Sequence, residues 1–242
     1  MSGVLALRLA GPLQSWGASS RFTRRTTESA PTKSGVIGLL AAAAGIERGD
    51  DTALAPLAAL RFGVRIDQPG TRIRDFHTAH HAVTGKSMPL SERFYLADAV
   101  FVAALEGEHA LLTDLHAALK SPVYLPFLGR RSCPPAAPLE LGLYEDACLE
   151  RVLREVSWQA SAWYRKQHRF HRPDEGLTVL WEATAGQHGG ADTLRDQPLS
   201  FAAAHRRHAL RTVVTTTVPL PGAVAAGAPR HDPFDALEDE SS

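Results

Sequence analysis

Two glycine-containing basic stretches carry residue types that bind phosphate. In the first, residues 11–33, Gln14, Ser15, Trp16 and Gly17 precede four cations and one acid, Glu28; the cations are Arg21, Arg24, Arg25 and Lys33. A predicted helix begins at about Ser34, and the positive end of a helix dipole with its unpaired N–H groups favours anions. Glycine admits a close ligand and the indole offers a stacking surface. A solvated basic loop is the alternative.

The second stretch, FLGRRSCPP (Phe127–Pro135), places one glycine before adjacent arginines. Gly129 is followed by Arg130, Arg131, Ser132 and Cys133, and two prolines then stiffen the exit. Guanidinium groups held in such a segment can donate paired hydrogen bonds to a phosphate. An ordinary connection with surface arginines is the alternative, and we favour binding because both stretches adjoin the same predicted sheet.

Three histidines, His77, His80 and His81, lie in RIRDFHTAHHAVTGKS (residues 72–87). A histidine could remove a 2′-hydroxyl proton near neutral pH and so cleave RNA without a metal. A metal site is not favoured, because the segment has no HExxH motif and no cysteine pair nearby. The TGKS sequence has a histidine where Walker A needs its first glycine, which argues against nucleotide hydrolysis. A polar hairpin that contacts RNA without catalysis is an equally good interpretation.

A fourth segment, AWYRKQHRFHR (Ala162–Arg172), interleaves aromatic rings with cations. Rings that stack on bases, placed between cations that pair with phosphates, are what single-stranded nucleic acid requires. A β-strand with a solvated outer face would show a similar pattern. Both interpretations stay open for this segment, for which we predict a strand.

Composition supports a soluble globular protein with an anionic partner. The 242 residues include 26 basic and 26 acidic side chains, but five acids follow position 230, so the preceding chain has 26 basic and 21 acidic groups. The apolar run Val36–Gly45 is shorter than the ~20 residues that span a bilayer, and no secretory signal is evident. We therefore expect a cytoplasmic location and no membrane contact. The two cysteines are too few for a disulfide scaffold and are predicted to be reduced.

Hydrophobic periodicity predicts the elements that position these segments. Strands are expected at Val4–Leu9, Arg61–Ile66, Ala97–Leu105 and Leu139–Tyr144, and helices at Ser34–Ala44 and from about His109 to before Pro122. In the second strand, Phe62, Val64 and Ile66 are predicted to face inward, with Arg61 and Arg65 outward. The order βαββαβ is that of an α+β, ferredoxin-like (RRM-like) fold.

The remaining chain divides into three parts. Residues 70–93 form an excursion between the second and third strands of the domain predicted over residues 1–146. Residues 147–221 are expected to form a smaller β-rich portion without a clear second helix. Residues 222–242, rich in proline, glycine, alanine and acid, are predicted to be a disordered acidic tail.

Three stretches resemble the CasD-type subunits of type I-E CRISPR Cascade complexes, members of the RAMP superfamily. They are LRLAGPLQSWGASSRFTRRTTESAPTKSGVIGLLAAAAGI, FLGRRSCPP and LRDQPLSFAAAHRRHALRTVV, in the family's order. The first two are specific and the third is looser. The resemblance extends to about Pro221 and leaves out the acidic tail.

The resemblance implies a ferredoxin-like RAMP domain with an inserted β-hairpin thumb, here within residues 70–93. It further implies an architectural subunit that caps the 5′ handle of the crRNA and contacts the backbone subunit CasC and the large subunit CasA. Target DNA would be bound through the assembled complex, and no cofactor, metal or catalytic residue is expected. At matching positions the implied RNA-binding residues are Gln14, Ser15, Trp16, Gly17, Arg21, Arg24, Arg25, Lys33, Ser34, His77, Arg130, Arg131, Ser132 and Cys133.

A second hypothesis comes from type I-C systems, in which a relative is the endoribonuclease that processes precursor crRNA. His77, His80 and His81, with a nearby tyrosine or lysine, would then cleave RNA without a metal. The type I-E resemblance argues against this, because another subunit performs that step there. Cleavage of repeat RNA that disappears on His→Ala substitution would decide for the enzyme.

Overall fold

The computed structural model describes residues 2–17, 24–171, 175–184 and 191–221. The strands are β1 (Ser2–Ala10), β2 (Leu13–Gln14), β3 (Arg24–Arg25), β4 (Arg61–Gln68), β5 (Thr71–His77), β6 (Ser91–Ala97), β7 (Val100–Glu108), β8 (Glu140–Glu145), β9 (Leu177–Glu182), β10 (Ala191–Ser200) and β11 (Arg207–Val218). The helices are α1 (Lys33–Ala43), α2 (Asp51–Ala59), α3 (His109–Lys120), α4 (Leu149–Glu155) and α5 (Ala162–His171). The predicted acidic tail lies outside the described residues.

A seven-stranded antiparallel sheet in the order β10-β11-β9-β4-β7-β1-β8 forms the centre of the molecule. Apolar side chains fill both faces of β1, since Leu5 and Leu7 pack with α1 and α3 while Val4 and Ala6 pack with α4. The strands after residue 176 extend this same sheet through β9, which pairs with β4. Among the described residues, no helix is long and apolar enough to cross a bilayer.

The face of β4 covered by α4 explains why one sequence prediction was wrong. Arg65 was predicted to point into solvent but is fully buried, because α4 covers the side of β4 that was expected to be solvent-exposed. Its guanidinium pairs with Asp67 at 2.6 Å and donates to the carbonyls of Leu153 and Val156 at the end of α4. Arg65 thus replaces the missing backbone partners of the helix C-terminus.

A long β-hairpin projects from the end of β4. β5 pairs with β6 from Thr71 opposite Ala97 to His77 opposite Ser91, and the connection at residues 78–90 is exposed. The short strands β2 and β3 pair with β6, so both ends of the chain segment 13–25 lie on this hairpin. The predicted third strand begins at Val100 rather than Ala97, because Asp98 adopts a positive φ of 56° and turns the chain.

Four elements differ from the sequence predictions. Residues 162–171 form α5 rather than a strand, and α4 precedes it, so the C-terminal portion is not exclusively β. α2 was not predicted because an internal proline, Pro56, interrupts its apolar pattern. β10 was also not predicted, since Pro198 and many polar residues disfavour a strand; it lies at the sheet edge, where proline is tolerated.

Candidate functional site

A buried glutamine organises the segment that follows β1. The side-chain amide of Gln14 donates to the carbonyls of Leu9 and Ala99 at 3.1 and 2.7 Å, and its oxygen accepts from the Trp16 indole at 3.0 Å. Gln14 is completely buried, so these bonds satisfy its polar atoms without water. Gln14 therefore holds this segment in place from inside the core, and its own side chain is not exposed to a ligand.

Trp16 is a core residue in this structure. Its side chain has no exposed surface, and its backbone N–H donates to the Thr27 hydroxyl at 2.9 Å. A Cβ on Gly35 would lie 2.9 Å from its ring, so the indole packs directly on the backbone of α1. The predicted stacking of a base on Trp16 conflicts with this placement. Gly17, the next residue, is exposed.

The two basic stretches predicted from the sequence meet at Gly129. Its φ is +84°, and a Cβ there would lie only 1.8 Å from the Ser15 carbonyl oxygen. The Ser15 N–H donates to the Leu128 carbonyl at 3.1 Å, while the Ser15 hydroxyl donates to the carbonyl of Phe94 on β6 at 3.1 Å. Segment 127–133, segment 13–17 and the hairpin therefore form one assembly, with Ser15 buried at its centre.

A tight turn presents the two arginines. The Leu128 N–H donates to the Cys133 carbonyl at 2.7 Å and the Cys133 N–H donates to the Arg130 carbonyl at 2.8 Å, closing the turn on a buried thiol. Burial raises the pKa of Cys133, which keeps the thiol neutral. Arg131 and Ser132 are exposed at the tip. Cys133 therefore holds the turn rather than facing a ligand.

Arg130 bridges the turn and the hairpin. Its guanidinium carbon lies 4.8 Å from the centre of the Tyr95 ring, and Nη2 donates to the Arg25 carbonyl at 2.9 Å. Nη1 is buried and has no hydrogen-bond partner among the described residues. The Arg25 side chain is exposed on β3, so Arg25, Arg130 and Arg131 form one cationic surface. The backbone of Arg24 pairs with β6, whereas Arg21 lies outside the described residues.

Lys33 is not part of that exposed surface. Its ammonium pairs with Glu182 at 2.8 Å, and its backbone N–H donates to Asp196 at 2.8 Å. Asp196 also accepts from Arg211 at 2.5 Å, so two cations and two carboxylates form a nearly buried cluster. Burial lowers the pKa of Lys33 although Glu182 opposes the shift. The predicted pairing of Lys33 with phosphate conflicts with this internal neutralisation.

A cavity of about 830 Å³ adjoins the cationic surface. Its floor is the side of α1 with small residues, including Gly35, Gly38 and Ala41, while the N-cap Thr32 accepts from the Gly35 N–H at 3.3 Å. Its other lining residues are Ser34, Leu39, Ala42, Ile46, Glu47, Arg48, Gly49, Asp50, Leu54, Tyr124, Leu125, Pro126, Phe127, Gly129, Arg131, Pro134, Phe201 and Arg206. The lining has three cations, Arg48, Arg131 and Arg206, against two acids, Glu47 and Asp50. Apolar walls with this excess of positive charge suit a ligand that combines rings with negative charge.

The hairpin contributes cations and the predicted histidines. Arg72 donates to the Thr27 carbonyl at 2.7 Å and so ties β5 to the segment after β3. His77 is half-buried and pairs with Asp75 at 2.6 Å, whereas His80 and His81 lie on the exposed connection. Within the described ranges, no three histidine, cysteine or acidic side chains are grouped to hold a metal.

Sequence reasoning missed several contributors to this site. Tyr95 supports Arg130, Phe127 and Phe201 line the cavity, and Arg206 reaches its edge from the β10–β11 connection. Phe127 is the first residue of the recognised FLGRRSCPP stretch and could have been included. Phe201 and Arg206 carried no local signal, because only the pairing of β10 with β11 brings them to α1.

Comparisons with known proteins agree on one family. The model of the Cas_Cas5d family, described as CRISPR-associated protein (Cas_Cas5), matches residues 4–214. A relative from Escherichia coli (strain K12), "CRISPR system Cascade subunit CasD", is 39% identical over 171 residues, which cover 63% of this chain and 76% of the relative.

Two solved structures share both fold and sequence with the chain. One, described as "Crystal structure of Cas protein", has a TM-score of 0.69 and 38% identity, and the match covers 90% of this chain and 97% of that one. The other, described as "CRISPR RNA-guided surveillance complex", has a TM-score of 0.65, 31% identity and coverage of 94% and 95%. Because the family model spans β1 through most of β11, including both stretches that meet at Gly129, the chain belongs to the CRISPR-associated Cas5 family.

Proposed function

We propose that this protein is a non-catalytic crRNA-binding subunit of a type I-E Cascade complex, and that it caps the 5′ handle of the crRNA. The observation that carries the proposal is the cavity beside α1, which opens next to Arg131 and to the cationic surface of Arg25 and Arg130. The similarity to an E. coli Cascade subunit and to a chain of an RNA-guided surveillance complex supports the same role.

The chemistry of the cavity favours unpaired RNA over a duplex. Phe127 and Phe201 offer apolar ring surfaces, and the small residues of α1 leave room for a base next to the helix backbone. Proteins that read single-stranded RNA splay its bases onto such surfaces and pair its phosphates with arginine. Direct contacts are therefore assigned to Gly17, Arg25, Ser34, Arg130, Arg131 and Ser132, with His77 on the adjoining hairpin.

The buried residues of the predicted site have a different part in this proposal. Gln14, Ser15, Trp16 and Cys133 hold the cationic surface in position, and Lys33 fixes the N-terminus of α1 beneath it. Their contribution to RNA binding is geometric, since interactions that keep a binding surface preorganised reduce the ordering cost on association.

The architecture is consistent with the fold that the family resemblance implies. We assign β1, α1, β4, β7, α3 and β8 to a ferredoxin-like unit, because β7 lies between β4 and β1 with β8 on the far side of β1. The β5–β6 hairpin is assigned as the thumb. In this proposal the subunit bridges the backbone subunit CasC and the large subunit CasA, and it meets target DNA through the assembled complex.

The test measures both binding and cleavage of cognate repeat RNA labelled at its 5′ end, with the full chain and without metal. Intact RNA that binds through its 5′ handle is the expected result. A discrete cut in the repeat that requires His77, His80 or His81 would overturn the non-catalytic assignment and identify a processing endoribonuclease.

Substitution of both arginines, Arg130→Ala with Arg131→Ala, tests the cationic surface. We expect weaker RNA binding and a smaller salt dependence, because the slope falls by about 0.7 for each phosphate of a single strand that the protein no longer neutralises. The matched control is Lys120→Ala with Arg151→Ala, which removes two exposed cations from helices outside the site. Equal losses of RNA affinity in the two double variants would show that binding depends only on the net charge of the protein.

A further inference from the structure

Helix α5 is a second cationic surface that the proposed RNA site does not use. Its sequence AWYRKQHRFH contains no acidic residue, and the side chains of Trp163, Arg165 and Lys166 are exposed. Neither Arg165 nor Lys166 has an ion-pair partner in the part of the chain that the structure describes. Their charge is therefore available to an external anion.

Trp163 differs from the other tryptophans of the chain. Its side chain is 57% exposed, whereas Trp16 and Trp181 are 0% and 5% exposed and Trp158 is half-buried. Its ring contacts Tyr164 edge-to-face at 5.7 Å, which leaves a large indole surface in solvent. An exposed indole beside unpaired cations is the combination that stacks on an unpaired base while its phosphates are neutralised.

Buried contacts on the inner side of α5 hold that surface in place. The hydroxyl and N–H of Ser161 both donate to the Gln68 side chain, at 2.8 and 3.1 Å, and anchor the helix start to the end of β4. Trp158 packs edge-to-face on His168 at 5.2 Å and donates to the Asp67 carbonyl at 2.9 Å. Trp163 is therefore presented by a fixed helix rather than by a free loop.

The position of α5 separates it from the cavity beside α1. The segment that leads into it binds Asp67, whose side chain pairs with Arg65 on the sheet face covered by α4. The cavity lies on the opposite face, with α1. An RNA end held at the cavity would have to pass around the sheet to reach α5.

We propose that the outer face of α5 binds single-stranded DNA, with Trp163 stacking on a base and Arg165 and Lys166 pairing with phosphates. A single strand is favoured over a duplex because the indole needs an unpaired base. The choice of DNA over RNA rests on the proposed function, in which the RNA occupies the other face.

The test measures the affinity of the full chain for a fluorescein-labelled 20-nucleotide oligo-dT by anisotropy, with the RNA site saturated by unlabelled repeat RNA. Loss of one stacked base is worth ~1–3 kcal/mol, so Trp163→Ala should weaken binding by about fivefold or more. Arg165→Glu with Lys166→Glu should weaken it further and reduce its salt dependence. The control pair Lys120→Glu with Arg151→Glu makes the same change in net charge and should have little effect.

Repeat-RNA binding, measured in parallel, should be unchanged in the α5 variants. An α5 variant that loses RNA binding instead, or a control pair that loses as much DNA binding, would overturn the proposal. Because Arg130→Ala with Arg131→Ala tests the RNA site independently, failure of one proposal is distinguished from failure of the other.

A measurement on the unaltered chain removes any dependence on variant folding. Ultraviolet crosslinking of bromodeoxyuridine-substituted DNA, followed by mass spectrometry, should identify the peptide that contains Trp163. Crosslinks confined to segments 13–17 and 127–135 would contradict the proposal, because the DNA would then occupy the cationic surface assigned to RNA.

Discussion

The chain uses cations in two opposite ways near the N-terminus of α1. Lys33 and Arg211 are neutralised internally by Glu182 and Asp196, whereas Arg25 and Arg131 are exposed and Arg131 lines the cavity. Removing one partner of a buried cluster leaves an uncompensated charge, but removing an exposed cation costs little stability. The comparison shows that position, rather than residue type, separates cations that stabilise the fold from cations available to a ligand.

The largest expected effect on stability is at Gly129, where segments 13–17 and 127–133 meet. Gly129→Ala places a Cβ 1.8 Å from the Ser15 carbonyl oxygen at a left-handed φ, so backbone must move. We expect the free energy of unfolding to fall by about 3 kcal/mol or more, since left-handed strain alone costs ~1–3 kcal/mol. Urea denaturation measures this loss.

Gly85→Ala is the matched control, because Gly85 has a φ of +67° but no atom within 4 Å of its added Cβ. The Gly85→Ala variant should lose only the stability that left-handed backbone strain costs, and it should keep the RNA affinity of the unaltered chain. Equal destabilisation by both substitutions would mean that the close approach of Gly129 to Ser15 does not hold the two segments together.

The next effect sharpens the contrast between buried and exposed cations. Lys33→Met should lower the free energy of unfolding by about 3 kcal/mol, because Glu182 loses its closest cation within a nearly buried cluster. Chemical denaturation measures this loss of stability, and RNA titration at several salt concentrations measures any effect on binding.

For Lys33→Met, the salt dependence of RNA binding by the folded protein should not change. Lys120→Met, at an exposed position, should leave stability nearly unaltered. A smaller salt slope with unchanged stability would instead identify Lys33 as a phosphate ligand, and the buried and exposed cations would then no longer differ in role.

The smallest effect on stability is expected at the cavity floor. A Cβ on Gly38 would meet Phe201 at an ordinary 3.7 Å, so Gly38→Ala fits and should stabilise α1 by up to about 1 kcal/mol. Gly38→Leu has its Cβ at the same ordinary distance from Phe201, but its longer side chain would extend into the cavity. We expect RNA affinity to fall several-fold for leucine and to be retained for alanine, as measured by anisotropy. Equal affinities would show that RNA does not enter the cavity.

Local sequence patterns were reliable for elements whose apolar residues recur at a regular spacing. α1 and α3 begin and end within one or two residues of their predicted bounds, because their apolar spacing and flanking start and stop signals agree. The strands β1, β4 and β8 were likewise found. α5 was misassigned because its interleaved rings and cations were taken for a strand with a solvated face. Its inward residues, Tyr164 and His168, are in contact and four positions apart, which is a helical spacing.

The amino-acid sequence by itself determined the family, most central elements and the two segments that carry the arginines. Only the tertiary structure decided which of those residues reach solvent. Gln14, Trp16 and Lys33 share a segment with Arg25, but the packing of α1 on the sheet and the pairing of β6 with β2 bury the first three. Burial depends on contacts between distant parts of the chain, so a short stretch of sequence cannot separate a core polar residue from a binding residue.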